Sequence, residues 1–100
     1  MDQKTYVIQW RPAAVADLDA IIDFIGKDSP KIAGEFGELL REKTLMLADH
    51  PQAGKSGRPG LPAYVLELVV HRHYIVFYRI QSSKRIVEIL RIKHTARQTT

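Results

Sequence analysis

The chain has 100 residues, 45% of them apolar, and a net charge of +4, which is enough for one domain with a single thin core. Cysteine is absent, which excludes disulfides, thiol catalysis and zinc–cysteine sites. No apolar run approaches the length of a membrane span. The N-terminus, MDQKTYVIQW, lacks a basic segment leading into an apolar stretch, so no signal peptide is expected and the cytoplasm is the simplest location.

Tyr6 to Trp10 alternates weakly and is rich in strand formers, which predicts a short first strand. Pro12 suits the first turn of a helix. From Ala13 to Lys27, Val15, Leu18, Ile21, Ile22 and Ile25 recur at helical spacing, while Asp17, Asp19 and Asp23 read as a solvated face. Gly26 and Lys27 mark its end. Ser29-Pro30 reads as an N-cap followed by proline at the first helical position. A second helix is expected from there to about His50, with Ile32, Phe36, Leu39, Leu40 and Leu47 inside. The short link makes the two helices an antiparallel hairpin.

Pro51 to Ala63 is a Gly/Pro loop. Three strands follow, at Tyr64 to Val70, Tyr74 to Ile80 and Arg85 to Ile92, with breaks short enough for an antiparallel meander. The tail, from about residue 95 to residue 100, is polar and expected to be loosely held. The order β-α-α-β-β-β predicts an α+β, two-layer fold, a single domain over residues 1–100. The first strand and the helical hairpin are expected to pack on an antiparallel sheet.

Charge divides the chain. The first half carries −3 and the second +7, where nine Lys/Arg face only Glu67 and Glu88. A basic sheet is a platform for a polyanion or an acidic protein. Strand alternation places Ile75, Phe77 and Arg79 on one face and Tyr74, Val76, Tyr78 and Ile80 on the other. By the same rule Val87, Ile89 and Arg91 share a face, opposite Ile86, Glu88, Leu90 and Ile92. Arg79 and Arg91 lie near strand ends, where they reach either solvent or an anion. Arg58, in the Gly/Pro loop, is a second candidate phosphate contact. His94 follows the last strand beside Lys93 and is the residue suited to proton transfer. His71 and His73 form an H-x-H pair without an accompanying third ligand, so a hairpin turn is expected there, not a metal site. Tyr74 and Tyr78 suit packing better than base stacking. No cofactor motif or Ser/His/Asp constellation is recognisable.

The string LELVVHRHYIVFYRI, followed by VEILRIKHTARQ, resembles toxins of the RelE/ParE superfamily of bacterial type II toxin–antitoxin modules. HPQAGKSGRPGLP resembles the loop that joins helical hairpin to sheet in those toxins. The resemblance covers nearly the whole chain. It implies a small basic α+β toxin neutralised by a cognate antitoxin, with operator DNA bound only by the toxin–antitoxin complex. Two activities come with it. RelE-like toxins enter the ribosomal A site and cut mRNA; ParE-like toxins inhibit DNA gyrase. On the RelE-like reading, which leads here, the chain is a metal-independent endoribonuclease needing no cofactor. Arg79 and Arg58 would then stabilise the pentavalent phosphorane while His94 moves the proton, and Lys93, Arg91 and Lys55 would hold the RNA. The arginines and the imidazole are expected to meet at one rim of the sheet. Leu66 stands where the family often has arginine, and the tail lacks a frequent tyrosine. These departures leave gyrase inhibition, or an inactive antitoxin-binding module, as alternatives.

Overall fold

The computed structural model describes residues 5–95. Its elements are β1 (Val7–Trp10), α1 (Pro12–Asp28), α2 (Pro30–Met46), a 3₁₀ turn (Pro51–Ala53), β2 (Lys55–Ser56), β3 (Leu66–His71), β4 (Tyr74–Gln81), a second 3₁₀ turn (Ser82–Lys84) and β5 (Ile86–His94). Residues 96–100 of the predicted tail lie outside the described residues. His94, just before that tail, is the last residue of β5. Thr95 also donates its backbone N–H to the His73 carbonyl at 2.8 Å.

Ser29 separates the helices. Its N–H bonds to the Ile25 carbonyl, ending α1, and its hydroxyl accepts from the Ile32 N–H at 3.1 Å, opening α2. Pro30 then fixes the start of α2. α2 stops at Met46, short of the predicted His50, and the chain turns through Thr44–His50 toward Pro51. The buried stripes follow the predicted ones except at one residue in each helix. α1 buries Ala14, with Leu18, Ile21, Ile22 and Ile25 packed beside it, and leaves Val15 exposed. α2 buries Ala33, Phe36, Leu40 and Thr44 and leaves Ile32 exposed. Both misses sit beside a buried alanine in the first turn, Ala14 and Ala33, so the small neighbour faces the core and the larger apolar residue is turned aside.

The five-stranded sheet has the order β1-β5-β4-β3-β2. β2 to β5 form antiparallel pairs, as the meander predicts. β1 lies parallel to β5, so the sheet is mixed and not purely antiparallel. Parallel neighbours need a long crossover, and the helical hairpin begins that route. One face carries Val70, Tyr74, Val76, Tyr78, Val87, Ile89 and Ile92 against the helices. The other carries Ile75, Phe77 and Leu90, with Val65 closing over them from the segment before β3.

Tyr78, completely buried, fastens the Gly/Pro loop. Its hydroxyl donates to the Pro51 carbonyl at 2.7 Å and accepts from the Gly54 N–H at 2.8 Å. A Cβ at Gly54 would stand 2.6 Å from the Glu67 carbonyl oxygen, so only glycine fits that approach.

Candidate functional site

A bulge decides which side chains of β5 face where. Phe77 lies opposite Arg91 and Tyr78 opposite Ile89, leaving Leu90 as the extra residue. Ile89 and Ile92 therefore both face the helices, while Leu90 packs with Ile75 and Phe77. Strict alternation, which grouped Ile92 with Glu88 and Leu90, fails at this point.

Arg79 stands on the sheet face away from the helices, opposite Glu88. Its Nε donates to Glu88 Oε1 at 2.6 Å. Gln81 Nε2 reaches the same oxygen at 3.0 Å, and Arg11 Nη1 donates to Oε2 at 3.0 Å. The Glu88 side chain is only 5% exposed. The Arg79 guanidinium holds the Glu88 carboxyl below the usual glutamate range, outweighing burial, with Arg11 and Gln81 adding to the effect. The Arg79 guanidinium also lies 5.6 Å from the Tyr64 ring centre.

Arg58 repeats the pattern. Its Nη2 and Nε donate to the two Glu67 oxygens at 2.6 and 3.2 Å, and its guanidinium sits 5.5 Å from the centre of the Phe77 ring. This contact is bidentate. Lys55 lines the same hollow as Arg58 and Glu67, about 740 Å³ in volume, at the β2 edge.

Arg91 is held by α1. Its Nε and Nη2 donate to the two Asp17 oxygens at 2.8 and 3.0 Å, and the Ile92 N–H donates to Oδ2 at 2.8 Å. This lies where β1, which ends opposite Ile89, no longer covers β5. Asp17 thus caps a strand edge and is not a solvated helix residue as expected. Burial alone would raise its pKa, but the Arg91 and Ile92 hydrogen bonds, with the charges of Arg91 and Lys93, bring it below the ordinary aspartate value.

His94 lies elsewhere. It pairs with Tyr74 across β4 and β5, with ring centres 5.0 Å apart, and stacks on His73 at 5.6 Å. It shares a cleft of about 440 Å³ with Lys93, Asp17, Ile21 and Phe24. Tyr74 belongs to the helix-facing side of β4 and Arg79 to the opposite side. Arg79 lies five residue steps along the strand from Tyr74, roughly 17 Å at ~3.4 Å per residue. The expected meeting of Arg79, Arg58 and His94 at one rim therefore does not occur. The arginines share one face of the sheet, and the imidazole lies beyond the far end of the other. The predicted contacts divide likewise, with Lys93 beside His94, Lys55 beside Arg58, and Arg91 tied to α1.

The residues missed by sequence reasoning are carboxylates and their neighbours: Asp17, Glu67, Glu88, Arg11, Gln81 and Tyr64. A signal existed for two of them. Glu67 and Glu88 are the second half's only acids, each sits in a predicted strand, and Glu88 stands three residues from both Arg85 and Arg91. Among the described residues, no group of three or more His, Asp or Glu is placed to hold a metal ion. No described helix is long and apolar enough to cross a membrane.

Residues 8–99 match the family described as the ParE toxin of the type II toxin–antitoxin system parDE. The chain belongs to the ParE toxin family. It is 36% identical over 90 residues to "Toxin RelE2" of Caulobacter vibrioides, covering 90% of this chain and 96% of that protein. Among solved structures, the ParE-family fold matches the chromosomal ParDE toxin–antitoxin system of P. aeruginosa. The TM-score is 0.73 at 26% identity, covering 92% of this chain and 98% of the other. It also matches the toxin–antitoxin complex RelBE2 of Mycobacterium tuberculosis, with a TM-score of 0.61 at 26% identity, covering 90% and 98%. This chain is thus a type II toxin on the scaffold shared by both branches.

Proposed function

We propose that this toxin arrests growth by binding DNA gyrase, not by cutting mRNA, and that a cognate antitoxin neutralises it. One observation carries the choice. The two arginines best placed for a phosphorane are clamped by Glu88 and Glu67, and His94 lies at the far end of the other face. Metal-free cleavage of RNA needs a cation and a proton-transfer group on the same phosphate, within hydrogen-bond reach of the reacting atoms. A spacing of roughly 17 Å along β4 is far beyond that reach. Inhibition by binding makes no such demand. The +7 of the second half favours a partner surface rich in carboxylates, which would speed association. The same argument applies to the antitoxin, and the complex, not the free toxin, would bind operator DNA. Both gyrase and ribosome place the site of action in the cytoplasm.

Purified toxin tests the reading directly. Titrated into a gyrase supercoiling reaction, it should abolish supercoiling while mRNA on programmed ribosomes stays whole. Cut mRNA with unaffected gyrase would refute it. The endonuclease alternative retains one supporting feature, the cleft that His94 and Lys93 share. Under that alternative His94→Ala and Lys93→Ala would each abolish cleavage. An inactive antitoxin-binding module would leave both assays untouched.

A further inference from the structure

At the end of the sheet remote from Arg79, five rings close a circuit. Phe36 of α2 meets His71 edge-on at 5.7 Å, His71 lies 5.6 Å from His73, and His73 stacks on His94 at 5.6 Å. His94 meets Tyr74 at 5.0 Å, and Tyr74 returns to Phe36 at 5.1 Å. The circuit joins β3, its turn into β4, the end of β5 and α2, and forms one wall of an apolar groove of about 470 Å³. Phe24, Ile25, Ile32 and Leu39 form the helical side of that groove. Three of the five rings are imidazoles, the side chains that change charge near neutral pH.

One contact depends on protonation state. The His73 backbone N–H donates to His71 Nδ1 at 3.1 Å. An Nδ1 that accepts carries no proton, so the folded turn selects the neutral Nε2–H tautomer of His71. Protonating Nδ1 removes the acceptor and leaves the turn's N–H facing a donor.

The surroundings point the same way. Arg72 sits in the turn itself, and Lys93 precedes His94 on β5. Glu35 of α2 is the carboxylate in the groove, and it pairs with Lys31 at 3.8 Å. Asp17 of α1, in the neighbouring cleft, is engaged by Arg91. Burial, with the nearby His73 and Arg72, holds the His71 pKa below the ordinary histidine value.

We propose that this circuit is a proton-operated latch: neutral His71 pins the β3–β4 turn against α2, and its protonation frees the turn and loosens the wall of the groove. The sign follows from linkage. A histidine with a depressed folded pKa stabilises the closed turn above its unfolded value of 6.5. That contribution is lost as pH falls from there toward the lower folded value. The device is a property of the chain itself and does not depend on the toxin's target.

Amide hydrogen exchange on the full chain reads the latch. After correction for intrinsic exchange, the amides of residues 71–74 should exchange at least about 10-fold faster near pH 5.5 than near pH 7.5, while mid-β4 amides keep their protection. His71→Asn keeps an acceptor at the Nδ1 position but cannot titrate, so its turn should stay protected at both pH values. His71→Phe keeps the ring and removes the acceptor, so its turn should be open at both. Unaltered mid-β4 protection shows that each variant is folded. A wild-type turn with no pH response, or an Asn variant responding like the wild type, would overturn the proposal.

Discussion

Replacing Glu88 with Gln tests whether the buried carboxylate, and not the surrounding apolar face, holds this corner of the sheet. The side chain is 5% exposed and accepts from Arg79, Arg11 and Gln81. The amide keeps the volume but loses the charge, and its NH₂ must point at one of three donors. Breaking a fully buried pair costs about 3–5 kcal/mol. That range overstates this case, because the Arg11 side chain is 56% exposed and regains water when released. Hydrogen bonds to a charged group contribute about 1.5–3 kcal/mol. An expectation of about 2 kcal/mol follows, or a fall of roughly 8–16 °C in Tm for a domain of this size. Thermal unfolding by circular dichroism near neutral pH measures it. The pH profile supplies an independent check. Glu88 has a depressed folded pKa, so its stabilisation is present above its unfolded value of 4.5 and disappears as pH falls through the folded one. Wild type and variant should therefore converge in acid. A Tm within about 2 °C of wild type near neutral pH, or a gap that persists in acid, would refute the reasoning.

Tyr78→Phe removes the hydroxyl that bonds Pro51 and Gly54, leaving both backbone groups unpaired. It should lower stability by about 1–3 kcal/mol in a urea titration. Gly54→Ala should be worse, because the new Cβ meets backbone at 2.6 Å, and a soluble variant with wild-type stability would contradict the close approach. Asp17→Asn should loosen the uncovered end of β5, seen as faster exchange of the Ile92 amide, with its effect largest above the depressed Asp17 pKa. His94→Ala should leave growth arrest on induction intact under the gyrase reading; loss of arrest in a folded variant would favour the endonuclease.

Much of the fold follows from short-range rules. Ser29-Pro30 announces both a helix end and a helix start, and the Gly/Pro loop and two short breaks define the meander. What escapes is whatever depends on layers meeting. Val15 and Ile32 look like core residues by spacing, yet both are exposed, because the adjacent small residues Ala14 and Ala33 take the inward positions and apolar spacing counts the bulkier side chain first. β1 could have paired at an edge or in the centre of the sheet; its parallel seat beside β5 is a long-range pairing that no local pattern specifies. The bulge at Leu90 is invisible to a two-residue period and reverses the expected side for Ile92. Asp17, spaced like its solvated neighbours Asp19 and Asp23, becomes a partner only because an uncovered strand end happens to face it.

The candidate site shows why residue type alone misleads in a basic sheet. Arginines in the second half look like unsatisfied cations because they outnumber acids so heavily, yet the two acids present are placed opposite or beside the ones expected to do chemistry. A guanidinium already held in a short, charge-assisted pair and resting on an aromatic face must abandon both contacts to reach a phosphate. Arg79 could do so only by leaving Glu88 in a nearly dry site with Arg11 and Gln81 as its remaining donors. Arg58 would leave Glu67, whose side chain is 19% exposed and can rehydrate, so it is the easier of the two to recruit. Any RNA-cutting version of this toxin must therefore recruit Arg58 before Arg79. A cleavage activity that survives Arg58→Ala but not a folded Arg79→Ala would reverse that order and reopen the role of the Glu88 clamp.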